Sequence, residues 1–271
     1  MIFMQKNRGF DLLIKLRNLW DPIRFYETLR SLIFLFIPRS SKAYRYTPNF
    51  LRVFLKQMYL LNIYYQEWIR EYDTLTTEDV LRIKKHIIRM NSKPRISVIM
   101  PVYNPPIEIL EEAIQSVCQQ IYPFWELCIA DDASTDPEVH AVIRDYVNKD
   151  VRIHAVFREK NGHISAASNS AIELVRNDFI ALLDHDDILH PLALYEVAQT
   201  INAHPECEVI YSDEDKITKG GRRFDPYFKP EFNYELLLSQ NMVSHLGVYR
   251  TSSVRKIKGF REGLEGSQDY D

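Results

Sequence analysis

From Arg95 onward, short apolar runs alternate with amphipathic segments of helical length. The predicted strands cover residues 96–100, 125–130, 151–157, 178–183 and 208–211, and the first is expected to end at Pro101. Runs that are almost continuously apolar are typical of strands buried on both faces. Strands that alternate with helices at this spacing predict a mainly parallel sheet flanked by helices. The sequence therefore predicts an α/β domain over residues 95–271.

The first 94 residues show a helical pattern instead. Apolar residues recur at three- and four-residue steps from Leu51 to Ile69, and Thr76 to Asp79 has the pattern of a capping box that begins another helix. Residues 1–95 carry 18 Lys and Arg against 8 Asp and Glu, whereas residues 96–271 carry 16 against 29. We therefore expect a basic, helical N-terminal region, residues 1–94, followed by an acidic domain.

The basic region indicates where the protein is located. In residues 10–37, Lys and Arg stand beside leucines and aromatics, which is typical of a helix that lies on a membrane surface. A helical layer packed on the following domain is the alternative, and it is favoured for residues 46–90. The longest apolar run, Leu32 to Ile37, is far shorter than the ~20 residues that a spanning helix needs. The three cysteines lack metal-ligand spacing and indicate a reducing compartment. We expect a cytoplasmic protein, peripheral on the inner face of the cell membrane, with no nucleic-acid partner.

Three of the predicted strands end in polar turns, at residues 103–104, 131–132 and 184–187. Because parallel strands place their carboxyl ends at one edge of the sheet, these turns are expected to form a single cleft. The acids of residues 184–187 would repel one another unless a cation offset their charge, so a divalent metal with oxygen ligands is one interpretation. A solvated acidic turn or a helix N-cap is the other.

The usual phosphate-binding loops are absent from the sequence, which has neither G-x-x-x-x-G-K-[ST] nor G-x-G-x-x-G after the first strand. A nucleotide diphosphate bound in this cleft would therefore need another source of positive charge. A metal held by Asp184 and Asp186 would provide it. Asp132 could accept a hydrogen bond from a base N–H or a ribose hydroxyl.

Five short motifs occur in order along the domain: ISVIMPVYN at 96–104, DDASTD at 131–136, Asn161-Gly162 with Ser165 and Asn169, LDHDD at 183–187, and GSQDYD at 266–271. Each is weak by itself, but the ordered set is specific. It resembles the family 2 glycosyltransferases, which are inverting, nucleotide-sugar-dependent enzymes of the GT-A fold (Rossmann-like, with a mainly parallel sheet). Residues 40–95 are more loosely similar to the helical lead-in of bacterial members that build O-antigen, capsule or other surface polysaccharides.

The resemblance implies a role for each matching position. The donor would be held by Pro101, Val102, Tyr103, Asn104, Asp131, Asp132, Asn161, Gly162, Asn169 and Asp184. Asp184 and Asp186 would be the D-x-D pair that binds Mn or Mg, with Asp186 the direct ligand, and Asp269 would be the catalytic base. His185 occupies the variable middle position and is given no ligand role. For His163 and His245, contact with phosphate or metal stays open, and a structural role is favoured.

These roles imply transfer of a sugar from a UDP-, dTDP- or GDP-sugar to a hydroxyl of a glycan or lipid-linked glycan. Family members usually continue beyond the base motif, so a chain ending at Asp271 is expected to be truncated at its acceptor side. The non-enzymatic alternative is a nucleotide-binding relic or regulatory protein without transfer activity. A sugar-1-phosphate nucleotidylyltransferase would need a glycine-rich basic loop after the first strand, and residues 103–106 do not supply one.

Overall fold

The computed structural model describes residue 61, residues 63–267 and residue 270. The predictions for residues 1–60, including membrane contact, lie outside the described residues, as does the proposed base Asp269. The described chain divides into two compact units, a larger one of residues 75–216 and 226–267 and a smaller one of residues 63–74 and 217–225. The division into residues 1–94 and 95–271 stays a prediction.

The smaller unit contains a helical segment over residues 63–72, as the apolar periodicity predicts. Tyr65 stacks on Trp68 within this helix, with ring centroids 5.8 Å apart. Asp73, whose side chain is almost fully buried, forms an ion pair with Arg223. The buried charge pair therefore joins the end of the helical segment to Arg223 within the same unit.

The larger unit contains the alternating strands and helices that the sequence predicts. The helices are α1 (Thr77–Arg89), α2 (Ile107–Cys118), α3 (Pro137–Lys149), α4 (His163–Leu174), α5 (Ala193–Ala203), α6 (Tyr234–Ser239) and α7 (Thr251–Lys256). The strands are β1 (Ile96–Val102), β2 (Trp125–Asp131), β3 (Ile153–Phe157), β4 (Phe179–Leu182), β5 (Val209–Tyr211), β6 (Glu214–Ile217), β7 (Arg223–Tyr227) and β8 (Gly247–Arg250). The last residue of β6 and residues 223–225 of β7 belong to the smaller unit.

Six strands form one sheet in the order β3-β2-β1-β4-β8-β5, and β6 pairs with β7 in a separate two-stranded sheet. Strands β1 to β4 are parallel, whereas β8 runs antiparallel to both β4 and β5. The predicted α/β class with a mainly parallel sheet is confirmed.

The prediction that Pro101 ends the first strand is wrong, because β1 continues to Val102. Its pairing with β4 stops at Ile99, while its pairing with β2 extends to Val102. Proline has no N–H to donate and is therefore tolerated where one side of the strand needs no hydrogen bond. The extra residues carry the chain to the edge where the site lies.

The central strands of the sheet are buried on both faces. Successive residues of β1 belong to different apolar clusters, since Val98 packs with α1 and α2 residues on one side and Ile99 packs with α4 residues on the other. Every residue of β1 and β2 is buried, which explains their continuous apolar pattern.

The capping box at the start of α1 is confirmed, since Thr76 Oγ1 accepts from the Asp79 N–H at 3.1 Å and the Thr76 N–H donates to Asp79 Oδ2 at 3.1 Å. Ile83 and Ile87 of α1 belong to the same apolar cluster as the sheet. Among the described residues, no helix combines the length and the apolar character needed to cross a bilayer.

Candidate functional site

The turns that follow β1, β2 and β4 meet at the carboxyl edge of the sheet. Asn104 links the first two, because its N–H donates to Ser134 Oγ at 2.9 Å and its Oδ1 accepts from the Thr135 N–H at 2.8 Å. His185 links the third turn to β1 through a 3.1 Å hydrogen bond from its Nδ1 to the Pro101 carbonyl. A carbonyl only accepts, so Nδ1 carries a proton in this contact. The predicted convergence of the three turns is present in the structure.

The side chains of the first turn differ in exposure. Pro101 and Val102 are buried, whereas Tyr103 is 46% exposed and its ring is accessible at the edge of the sheet. Asn104 has a positive φ of 46°, which is tolerated better by asparagine than by most residues. An exposed tyrosine at this edge is suited to contact a planar base, as the family resemblance implies.

Asp131 ends β2 and is completely buried. Its Oδ2 accepts hydrogen bonds from the Ser134 N–H at 3.1 Å and from His140 Nε2 at 2.9 Å. Its Oδ1 has no hydrogen-bond partner within the described part of the chain. The buried Asp131 carboxylate therefore stabilises the β2 turn through these two hydrogen bonds.

Asp132 is also buried, at 2% exposure, and its carboxylate is held by protein groups. Both carboxylate oxygens accept from the Gly162 N–H, at 3.0 and 3.1 Å, and Oδ1 lies 2.8 Å from Arg158 Nε in an ion pair. Gly162 precedes α4, so the negative charge also lies at the positive end of that helix. Asp132 thus joins the β2 turn to the start of α4.

Asn161 and Gly162 complete this connection. Asn161 Nδ2 donates to the Asp132 carbonyl at 3.3 Å, and its Oδ1 accepts from the His163 N–H at 3.2 Å. A Cβ on Gly162 would lie 2.6 Å from an Arg158 guanidinium nitrogen and 2.9 Å from the Ala166 Cβ. Glycine is therefore required at this position for close packing.

Asn169 lies on α4, but both ends of its amide contact the backbone of one residue. Nδ2 donates to the Phe260 carbonyl at 2.9 Å, and Oδ1 accepts from the Phe260 N–H at 2.8 Å. The preceding Gly259 has a φ of +75°, and a Cβ there would overlap Asn169 Oδ1. Asn169 fixes the segment after α7 in this structure, and its contact with a donor stays a prediction.

The acidic turn after β4 contributes to a cluster of three possible metal ligands. Asp184, Asp187 and His245 each offer one ligand atom, and these atoms lie within 4.8 Å of one another. His245 Nδ1 lies 3.4 Å from Asp187 Oδ2, and His245 Nε2 lies 3.9 Å from Asp184 Oδ2. Two carboxylates and an imidazole are ligand types that a divalent ion can bind.

The electrostatics of this cluster also fit a cation. Burial raises the pKa of the Asp187 carboxyl, His245 opposes the rise, and Asp184 and Asp186 increase it, as does Glu214. A bound cation would oppose the same rise by stabilising the ionised carboxylate.

The cluster differs from the predicted ligand pair. Asp184 belongs to it, but Asp186 is exposed and is not one of its three members. His245, for which the sequence favoured a structural role, takes part instead. Its participation depends on β8, which the fold inserts beside β4, and no local sequence signal marks this pairing.

The arrangement of a mainly parallel sheet with an acidic site at its carboxyl edge agrees with the comparisons with known proteins. The family described as Glycosyl transferase family 2 matches residues 97–258. The chain belongs to this family, so the predicted membership of the family 2 glycosyltransferases is confirmed. The fifth motif, residues 266–271, lies outside the matched residues.

Two curated relatives cover most of the domain. The chain is 55% identical over 190 residues to the uncharacterized protein y4gI of Sinorhizobium fredii, a match that covers 70% of this chain and 21% of the relative. It is 34% identical over 192 residues to the O-antigen biosynthesis protein RfbC of Myxococcus xanthus, covering 71% of this chain and 15% of RfbC. The chain therefore spans about a fifth or less of the length of these relatives.

Among solved structures, residues 1–349 of TarS from S. aureus superpose with a TM-score of 0.54 at 26% identity, covering 65% of this chain and 53% of that one. The likeness supports the GT-A fold.

Proposed function

We propose that this chain is the donor-binding and catalytic part of an inverting glycosyltransferase for surface polysaccharide. Family membership establishes the glycosyltransferase class. The observation that best supports this assignment is the cluster of Asp184, Asp187 and His245 beside the turns of β1 and β2. The relative RfbC is an O-antigen biosynthesis protein, which supports polysaccharide as the product.

The donor is proposed to be a UDP-, dTDP- or GDP-sugar. Two other crystal structures of TarS residues 1–349 are complexes, one with UDP-GlcNAc and one with UDP. In this chain, Tyr103 is an exposed aromatic side chain at the edge where a base would lie. Asn161, Gly162 and the buried Asp131 and Asp132 shape the adjoining turns.

A divalent ion, Mn or Mg, is proposed to be held by Asp184, Asp187 and His245. When bound, it would supply positive charge to the departing diphosphate. The D-x-D pair, Asp184 with Asp186, is the alternative ligand set for the same ion. The two sets share Asp184; the first adds Asp187 and His245, and the second adds Asp186.

Inversion follows from a single displacement at the anomeric carbon. The acceptor oxygen forms a bond to that carbon as the bond to the diphosphate oxygen breaks, and a base takes the hydroxyl proton. We assign the base to Asp269 on the motif at residues 266–271. The acceptor is proposed to be a glycan or lipid-linked glycan, reached at the inner face of the cell membrane through the basic N-terminal region.

Thermal shift and calorimetry with a panel of nucleotide-sugars test the donor assignment, with and without Mn²⁺. A ligand present at 100 times its Kd should stabilise the folded chain by about 2.7 kcal/mol. We expect one of the three nucleotide classes to bind more tightly when Mn²⁺ is present. Absence of binding to every nucleotide-sugar would refute the proposal.

Three substitutions separate the assigned roles. Asp269→Asn should abolish sugar transfer and leave donor binding intact, and loss of binding would contradict its role as base. Asp187→Ala should remove the metal dependence of donor affinity, whereas Asp186→Ala should retain it. The reverse result would favour the D-x-D pair. Donor binding without transfer by the wild-type protein would support the regulatory alternative.

A further inference from the structure

Residues 241–246 bring His245 to the acidic cluster, and this segment is held by one of its own side chains and by a side chain from elsewhere in the larger unit. Asn241 Oδ1 accepts from the N–H groups of Val243, at 3.2 Å, and Ser244, at 3.0 Å. Ser212 Oγ accepts from the Leu246 N–H at 3.1 Å. The backbone on either side of His245 is therefore fixed.

His245 itself is held by an ion pair between Lys229 and Glu214. Its N–H donates to Glu214 Oε2 at 2.9 Å, and its carbonyl accepts from Lys229 Nζ at 2.6 Å. The same two charged groups contact each other at 3.0 Å. Both polar backbone groups of His245 are thus bound to the two members of one pair.

The Lys229 ammonium is buried and uses all of its N–H groups in hydrogen bonds around His245. Its side chain is 1% exposed, and its Nζ donates to Glu214 Oε2, to the Val243 carbonyl at 2.7 Å and to the His245 carbonyl. An ammonium has three N–H groups, so its hydrogen-bonding capacity is filled. Burying a lysine is costly unless it is paired and hydrogen-bonded, as it is here.

We propose that the Lys229–Glu214 pair is a positioning clamp that holds the His245 imidazole in place to bind a divalent cation with Asp184 and Asp187. This inference rests on the proposed function for the metal site, and it adds two residues that would position a ligand rather than hold the ion. Groups that orient metal ligands typically change metal affinity by 10–100-fold when they are removed. In this case, the clamp acts on the backbone of the ligand rather than on its ring.

Electrostatics and positioning predict opposite results when Lys229 is replaced. Removing a positive charge near a cation site relieves Coulomb repulsion, so electrostatics alone predicts stronger cation binding. Releasing the backbone of His245 should weaken it. Lys229→Met keeps most of the side-chain length and removes the ammonium, so the sign of its effect distinguishes the two explanations.

The test measures Mn²⁺ binding to the 271-residue chain without donor or acceptor, by calorimetry or by the electron paramagnetic resonance signal of free Mn²⁺. We expect Lys229→Met to raise the Mn²⁺ Kd about 10-fold or more. Amide hydrogen exchange of residues 243–246 in the metal-free chain should become faster in the same variant. An unchanged or tighter Mn²⁺ Kd would overturn the inference.

Glu214 provides a second, independent pair of variants. Glu214→Ala removes the acceptor for the His245 N–H, whereas Glu214→Gln removes the same charge but keeps an oxygen acceptor. We expect Glu214→Ala to weaken Mn²⁺ binding about 10-fold and Glu214→Gln to stay within about 3-fold of wild type. Equal losses in the two variants would assign the effect to charge and overturn the clamp.

Arg152→Met is the matched control. It removes an ion pair with Asp150 and a cation–π contact with Trp125, before the edge strand β3 and away from the cluster. It should lower thermal stability without changing the Mn²⁺ Kd. A wild-type chain that binds no Mn²⁺ would refute the metal site of the proposed function. Wild-type binding that Lys229→Met leaves unchanged would refute the clamp alone.

Discussion

Gly259 offers a prediction whose magnitude can be worked out from the structure. Its φ is +75°, and a Cβ would overlap Asn169 Oδ1, which accepts a hydrogen bond from the Phe260 N–H. An alanine at this φ costs about 1–2 kcal/mol. Displacing the Asn169 amide would also break its two hydrogen bonds to Phe260, each worth about 1 kcal/mol. Gly259→Ala should therefore lower the free energy of unfolding by about 3–4 kcal/mol.

Gly263 provides the matched control, because its φ is +90° and a Cβ there would have no atom within 4 Å. Gly263→Ala should cost only the conformational term, about 1–2 kcal/mol. Both substitutions reduce the entropy of the unfolded chain similarly, so this contribution cancels in the comparison. The two variants should differ by about 2 kcal/mol, the value of the displaced hydrogen bonds.

Urea unfolding followed by circular dichroism measures both effects, provided that the midpoint shifts without a change in slope. A double-mutant cycle with Asn169→Ala isolates the overlap. In the Asn169→Ala background, Gly259→Ala should cost only about 1–2 kcal/mol, because the obstructing amide is gone. Equal costs for the two glycine substitutions, or an undiminished cost in the Asn169→Ala background, would refute this reasoning.

Three further predictions concern the buried sheet and its edge. Burial raises the pKa of the Cys128 thiol to about 12 from an ordinary 9.0, so Cys128 should resist a thiol reagent at pH 8 until the chain is unfolded. The thiol has a lower pKa in the unfolded chain than in the folded one. Its ionisation should therefore lower the free energy of unfolding as the pH rises from about 9 toward 12, and urea titrations at several pH values would detect this fall. Leu127→Ala in β2, at 0% exposure, should cost about 2–5 kcal/mol in urea unfolding, whereas Val151→Ala, at 91% exposure, should stay within about 0.5 kcal/mol. Gly162→Ala should raise the donor Kd in calorimetry by displacing the Arg158 side chain, and an unchanged Kd would show that this connection does not shape the donor site.

The sequence by itself was sufficient for the elements that depend on local pattern. Continuous apolar runs marked β1 and β2, because both faces of these strands are covered. The capping box at Thr76 could be predicted from the sequence because its two partners are only three residues apart. The ordered motifs were sufficient for the family, since the first four lie at strand ends or at a helix start and can be recognised from neighbouring residues.

Only the tertiary structure decided which side chains meet across the chain. β8 is placed antiparallel between β4 and β5, and this brings His245 to Asp184 and Asp187. The Lys229–Glu214 pair and the contact of Asn169 with Phe260 likewise join segments whose residue types carry no signal for one another. Local periodicity reports which face of an element is buried, but strand order and loop contacts arise from packing the whole sheet. For this protein, sequence determined the family and the carboxyl-edge turns, and the fold decided which groups at that edge can act together.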